Sequence, residues 1–159
     1  MIIKNVDRKL IPQNLYRKII KLIPICCVDA LVIYDNKFLL TKRINSPFKN
    51  HWWFPGGRLF FMESPEAGIK RKLKEELGIK KIKKIKLLGV GENKYYKRGY
   101  FNSPSHTINI VFLTEISERE AKKIRLDFQH SNYRWFEKIP KSAHTYIRKS
   151  LKLEDFNQN

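Results

Sequence analysis

The sequence predicts a single mixed domain of α/β or α+β class. Three observations carry that reading: apolar runs of strand character, an apolar spacing of four that marks a helix, and clear turn punctuation between them. At 159 residues the chain has the size of one domain able to bury a core without disulfides or structural metals. No repeat, linker or low-complexity tract divides it, so residues 1–159 are read as one unit.

The elements follow in order. Leu15, Ile19, Leu22 and Ile23 are spaced for one amphipathic helix within about residues 8–23, stopped by Pro24, and packed on the domain or on a partner subunit. Ile25 to Tyr34 and Lys37 to Thr41 are β-type runs joined at Asp35-Asn36, a short turn signal, which predicts a hairpin. Arg43 to Trp53 reads as a loop, broken at Asn45, Ser46 and Pro47. Pro55-Gly56-Gly57 reads as a backbone kink, Ser64-Pro65 as an N-cap with proline at the first helical position, and Gly78 as a helix stop. The helix Ser64 to Leu77 then carries the apolar stripe Ile69, Leu73 and Leu77, with Gly68, Lys72, Glu75 and Glu76 on flanking and far sides. Strands are predicted at Ile85 to Val90, Thr107 to Thr114 and Tyr133 to Phe136, with Tyr133 and Trp135 on one core-facing side, and a short helix after Pro140.

Composition narrows the class of protein. Cys26 and Cys27 are adjacent in an apolar run and read as small buried hydrophobes of a reducing compartment, the cytoplasm. No apolar stretch approaches the roughly 20 residues of a membrane helix, and the start MIIKNVDRKL has no secretory signal core. The net charge of +18, from 33 Lys and Arg against 15 Asp and Glu, attracts polyanions without choosing among them. Much of it falls in runs such as Lys80 to Lys86, where Ile82 and Ile85 anchor and the lysines face water. Aromatics Tyr95, Tyr96, Tyr100 and Phe101 among Lys94, Lys97 and Arg98 allow a nucleic-acid binder, a reading that the motif below weakens.

From the glycine pair the chain runs Gly57, five residues, Glu63, seven residues, Arg71, then Leu73, Glu75, Glu76, Gly78 and Ile79. This resembles the Nudix box, from which only Lys72 departs. Six fixed identities would coincide by chance on the order of once in ten million at a given start, at about 1/15 per residue. The resemblance implies a Nudix α/β/α sandwich with a mixed central sheet and a Mg²⁺-dependent hydrolase of nucleoside diphosphate derivatives. Physically, a loop carbonyl and helix carboxylates together offer the hard oxygen donors that Mg²⁺ prefers beside a diphosphate. The rival reading of Glu75 and Glu76 as solvated helix charges, with Arg71 to Glu75 a surface pair, is stronger for Glu75, which lies away from the apolar stripe. At position 72 many relatives carry a glutamate that binds metal or activates water, and a lysine can do neither.

A second resemblance, over most of the chain, is to the GDP-mannose mannosyl hydrolases, a Nudix branch that attacks the sugar carbon. It rests on the helix ending at Pro24, Asp29 in its strand, Phe38 to Arg43 followed by Asn45 and Pro47, Trp53 to Arg58, and above all Gln129-His130-Ser131-Asn132-Tyr133-Arg134-Trp135. The branch also lacks the glutamate at the Lys72 position. The resemblance implies one Mg²⁺ held by the Gly56 carbonyl, Glu76 and Gln129, with Glu75 as a further candidate. It implies His130 as general base, Arg43, Arg58 and Arg71 on the diphosphate, and Asp29 on the sugar, in a homodimer with the N-terminal segment near its interface. Each residue has a plainer rival: a surface histidine, surface arginines, or a buried strand carboxylate at Asp29. Glu75 departs from the branch, residues Glu92 to His106 match it weakly, and a Nudix pyrophosphatase cutting a P–O bond is the alternative. His106 and His144 carry no assignment.

Overall fold

The computed structural model describes residues 11–45, 48–96 and 103–152. Ile25–Tyr34 (β1) and Lys37–Arg43 (β2) form the predicted antiparallel hairpin, with Tyr34 opposite Lys37. Asp35 and Asn36 make its turn at φ 51° and 55°, the paired left-handed conformation that suits a two-residue hairpin. Ser105–Glu115 (β6) lies parallel to β1, and Lys84–Tyr95 (β5) pairs antiparallel with β6 as an edge strand. Trp52–Trp53 (β3) and His130–Phe136 (β7) pair with β2, and Gly56–Arg58 (β4) pairs with β1. The result is one mixed seven-stranded sheet.

Helices cover both faces of that sheet. Pro65–Leu77 (α2) is capped by Ser64, whose hydroxyl accepts from the Ala67 N–H at 3.2 Å, and ends at left-handed Gly78. Its Ile69, Leu73 and Leu77 are fully buried against Val28, Ala30, Val32 and Leu39, as the spacing of four requires. Alternate β1 residues point the other way, so Leu31 joins Phe38, Trp53 and Phe54 under Tyr146, Ile147 and Leu151 of Thr145–Lys152 (α4). The predicted α/β/α layering with a mixed sheet is the observed one. Among the described residues no helix is long and apolar enough to cross a membrane.

Several local expectations are corrected. The first helix spans Gln13–Leu22 (α1) and turns Tyr16, Ile19 and Ile20 inward onto Ile25 and Cys27, whereas Leu15, Leu22 and Ile23 are exposed. The true apolar face is thus rotated from the predicted stripe; residues 8–10 lie outside the described set. Only Cys27 is buried, because adjacent strand residues face opposite ways and Cys26 points outward. Pro55-Gly56-Gly57 leads into a paired strand, not a bare kink. The segment Arg43 to Trp53 is bracketed by strand residues at both ends, and its Ser46 and Pro47 lie outside the described residues. On α2, Gly68, Lys72 and Glu76 are buried as a second face, and only Glu75 of the four predicted outward residues is exposed. A short helix at Glu118–Ala121 (α3), capped by the Ser117 hydroxyl, adds to the predicted elements; Ser117 and Glu120 are its sequence signal. In the Lys80 to Lys86 run the lysines are exposed while Ile82 and Ile85 pack on the core, as read.

Strand β4 can lie this close to β1 only because Gly56 has no side chain. A β-carbon there would sit 2.2 Å from the Val28 carbonyl oxygen and 2.4 Å from Asp29 Oδ1. Gly56→Ala should therefore lower stability by about 1–3 kcal/mol, the usual cost of forcing atoms into a packed site. Urea unfolding measures this, and an unchanged midpoint would contradict the packing described.

Candidate active site

The site begins with a carboxylate that has to be accounted for. Glu76 is 2 % exposed, and an isolated charge so buried is strongly disfavoured. It is matched on both oxygens: Oε2 accepts the Gly56 N–H at 3.0 Å, and Oε1 lies 2.5 Å from the Lys72 ammonium. Burial pushes its carboxyl above the usual range, against the pull of Lys72. The Gly56 amide is available because Asp29 and Gly56 face each other as a pair outside the ladder bonds, next to the Ala30 N–H to Pro55 carbonyl bond.

The same helix end places the next segment. The Glu76 carbonyl accepts the Asp127 N–H at 3.1 Å and the Leu77 carbonyl accepts the Arg125 N–H at 3.0 Å. From there Asp127 Oδ1 accepts the Gln129 N–H at 3.0 Å and lies 2.8 Å from His130 Nδ1. His130, expected just before a strand, is its first residue, paired with Arg43; it is buried and acts electrostatically on Glu76. An ion pair or hydrogen bond from Asp127 at Nδ1 fixes the ring and leaves Nε2 as its other nitrogen.

The two partners of Glu76, Gly56 and Lys72, line a cavity of about 190 Å³ together with Asp29, Arg43, Arg58 and Gln129, and with Tyr16, Phe48, Trp53, Tyr95, Thr107 and Asn109. That is below the roughly 300–1,000 Å³ of pockets that enclose a drug-sized ligand. Asp29 sits on its floor, 3 % exposed. Its Oδ2 accepts the Tyr146 hydroxyl at 2.5 Å and the Asn109 amide at 2.8 Å, while Asn109 Oδ1 accepts from Thr107 at 2.7 Å and Asn93 at 3.4 Å. Burial nevertheless raises the Asp29 carboxyl to about 6.

Four candidates are not among the residues lining this cavity: the buried Glu76 and His130, and Arg71 and Glu75. Arg71 is held by both oxygens of Glu63 at 2.7 and 2.8 Å, by the Arg58 carbonyl at 3.1 Å and by Glu75 at 3.1 Å, and its guanidinium covers the Phe60 ring at 3.7 Å. It braces the box loop against α2 and in turn holds the Glu63 carboxyl below the usual range. Glu75 is 44 % exposed at its side chain and paired with Arg71. Asp127, Asn109, Thr107 and Tyr146 were not found from the sequence. Asp127 stands three residues before His130, a findable spacing, whereas Tyr146 comes from a different helix and had no local signal.

Whether these donors suit a divalent ion is a question of their chemistry. Among the described residues no three His, Cys, Asp or Glu side chains converge as a metal cage. The Gly56 backbone and Gln129 line the cavity, and the buried Glu76 carboxylate lies against Gly56 just behind that lining, a set of oxygen donors that fits one hard cation.

A three-layer domain whose loop and helix bury one glutamate against a glycine strand has the framework of a Nudix hydrolase. The chain belongs to the Nudix family: the model of the NUDIX domain matches residues 27–139. It is 36 % identical over 121 residues to an ADP-ribose pyrophosphatase of Methanocaldococcus jannaschii, covering 75 % of this chain and 68 % of that one. It is 27 % identical over 146 residues to the low-salt glycan biosynthesis protein Agl8 of Haloferax volcanii, covering 91 % of each. The MutT NUDIX hydrolase from Burkholderia pseudomallei superposes with a TM-score of 0.69 at 26 % identity, over 83 % of this chain and 98 % of that one.

Asp29 yields a signed prediction. With a folded value of about 6 against an ordinary 3.8, the native state holds the proton more tightly than the unfolded chain. This contribution to stability is complete below about pH 4 and is lost as pH rises to about 6, a change of about 3 kcal/mol at 1.36 kcal/mol per unit. Asp29→Asn removes it, so urea unfolding should show the variant gaining on the parent between pH 4 and pH 6 and holding its lead above. A difference that does not vary with pH would show that Asp29 is charged throughout.

Proposed function

We propose that this Nudix hydrolase acts on a nucleotide sugar of the GDP-mannose kind, with water attacking the anomeric carbon and the nucleoside diphosphate leaving intact. The observation that carries this reading is the Asp127–His130 pair beside Glu76, in a box whose position 72 is a lysine. In this reading a base is supplied from β7, since position 72 of the box helix carries a lysine.

In this reading Asp127 holds His130 Nδ1, and Nε2 takes the proton from water as the oxygen bonds to the sugar carbon. The bond from that carbon to the β-phosphate oxygen breaks, and its electron pair stays with the diphosphate. Arg43 and Arg58 face the same cavity and neutralise that charge, and Asp29 meets the sugar hydroxyls. The Gly56 carbonyl, Glu76 and Gln129 are the residues to hold Mg²⁺, which when bound stabilises charge on the leaving diphosphate. Arg71 and Glu75 act at one remove, through the loop they brace.

A second reading is favoured by the 36 % identity to an ADP-ribose pyrophosphatase: cleavage of the P–O bond within the diphosphate. Hydrolysis of GDP-mannose and ADP-ribose in ¹⁸O-water with Mg²⁺ separates the two. Label is expected in the sugar, with His130→Gln losing roughly 10²- to 10⁴-fold in rate, the span of general base catalysis. Label in phosphate would replace the first reading with the second.

The exposed row Leu15, Leu22 and Ile23 on and after α1 supports a homodimer contact, since grouped apolar side chains mark interaction surfaces. Sedimentation at micromolar concentration should show a dimer that Leu22→Asp converts to monomer; a parent monomer would contradict it.

A further inference from the structure

Lys72 is more than a missing glutamate. Its side chain is 11 % exposed, and its ammonium reaches Glu76 Oε1 at 2.5 Å and Glu75 Oε2 at 3.7 Å. The stem runs over Gly57, where a β-carbon would lie 3.2 Å from Lys72 Cε, and the side chain opens onto the cavity that Arg43, Arg58 and Gln129 also line. A positive charge is thereby built in at the carboxylate that the box reserves for a cation. A lysine there is a compact charge on a flexible stem, able to stay with Glu76 or lean toward a phosphate oxygen entering the cavity.

We propose that the Lys72 ammonium is a tethered cation that takes the place of one divalent ion on Glu76 and contacts the diphosphate of the substrate itself. The inference rests on the Nudix reading and concerns binding, not which bond is cut. Swapping a carboxylate for an ammonium changes the local charge by two units, which disfavours a second dication within a few ångströms. The same charge holds a diphosphate with no metal present, as a direct hydrogen bond to a charged group.

Two binding measurements on the full chain test this. Calorimetric titration with Mg²⁺ alone should show weak binding of at most one ion by the parent. Affinity should be tighter by roughly 10- to 100-fold in Lys72→Met, the span by which neighbours of a ligand shift metal affinity. A second ion should appear in Lys72→Glu. Titration with ADP and GDP in EDTA should show measurable affinity for the parent, kept by Lys72→Arg and lowered roughly 10-fold or more by Lys72→Met. Thermal melts check that each variant folds, and Lys72→Gln replaces the Met variant if that one does not. Unchanged Mg²⁺ affinity on removing the charge, or unchanged nucleotide affinity in EDTA, would each overturn the proposal. If instead both respond as stated while no nucleotide sugar is hydrolysed, the tethered cation stands and the substrate reading fails.

Discussion

Everything that defines the site depends on keeping one carboxylate, Glu76, inside the protein. Its burial has to be offset by a hydrogen bond and a positive charge, and both come from fixed places: the Gly56 amide on β4 and the Lys72 ammonium one helical turn back on α2. Meeting the Gly56 amide sets how α2 is rotated over β1 and β4, and that rotation lays Ile69, Leu73 and Leu77 on the sheet. The carbonyls of Glu76 and Leu77 then capture the 125–127 segment, which leads to Gln129 on the cavity wall and the buried His130 at the start of β7. Core packing and site geometry are here one arrangement.

The other carboxylates illustrate how environment separates residues of the same chemistry. Glu63 is anchored by the Arg71 fork and the Phe60 amide, so its charge is spent on holding the loop to the helix. Asp29 is more deeply enclosed and has only neutral donors bonded to it, Tyr146 and Asn109, so burial dominates and its proton is retained to higher pH. Two buried carboxylates therefore stand at and behind this small cavity, both pushed upward by burial, Glu76 against the pull of the Lys72 charge and Asp29 against neutral donors. Tyr146 links that second group to α4, which makes the C-terminal helix part of the site despite its distance in sequence.

The box helix, the hairpin and the site loop were legible because each has a local cause: a cap and stop around an apolar stripe, a paired left-handed turn, and a spacing of glycine, glutamates and arginine. What was not legible depends on which neighbour arrives in space. Lys72 and Gly68 read as outward on a helical wheel, yet β4 and the box loop cover that side and make a second buried face. The stripe expected on α1 is rotated because Tyr16 and Ile20 are what Cys27 and Ile25 accept. Arg71 matched its motif position, and only the structure reveals that its fork is engaged by Glu63 and Glu75. The Tyr146–Asp29 contact spans 117 positions and leaves no trace in local pattern.

The large positive charge can be divided on the same grounds. Edge strand β5 exposes Lys84, Lys86 and Lys94, and charged side chains on an edge strand oppose pairing with another chain. Lys80, Lys81 and Lys83 are likewise exposed where Ile82 alone turns inward. Of the 33 lysines and arginines, those lining the cavity among the described residues are Arg43, Arg58 and Lys72. The net charge of +18 thus acts at long range, raising the local concentration of any anionic nucleotide while salt screens it over about 10 Å at 0.1 M. Arg43, Arg58 and Lys72 instead present their charge locally at the cavity, where Lys72 is buried and the two arginines are half-buried, so salt screens them less than the exposed lysines. A chain of the same net charge without that arrangement would attract polyanions and distinguish none of them.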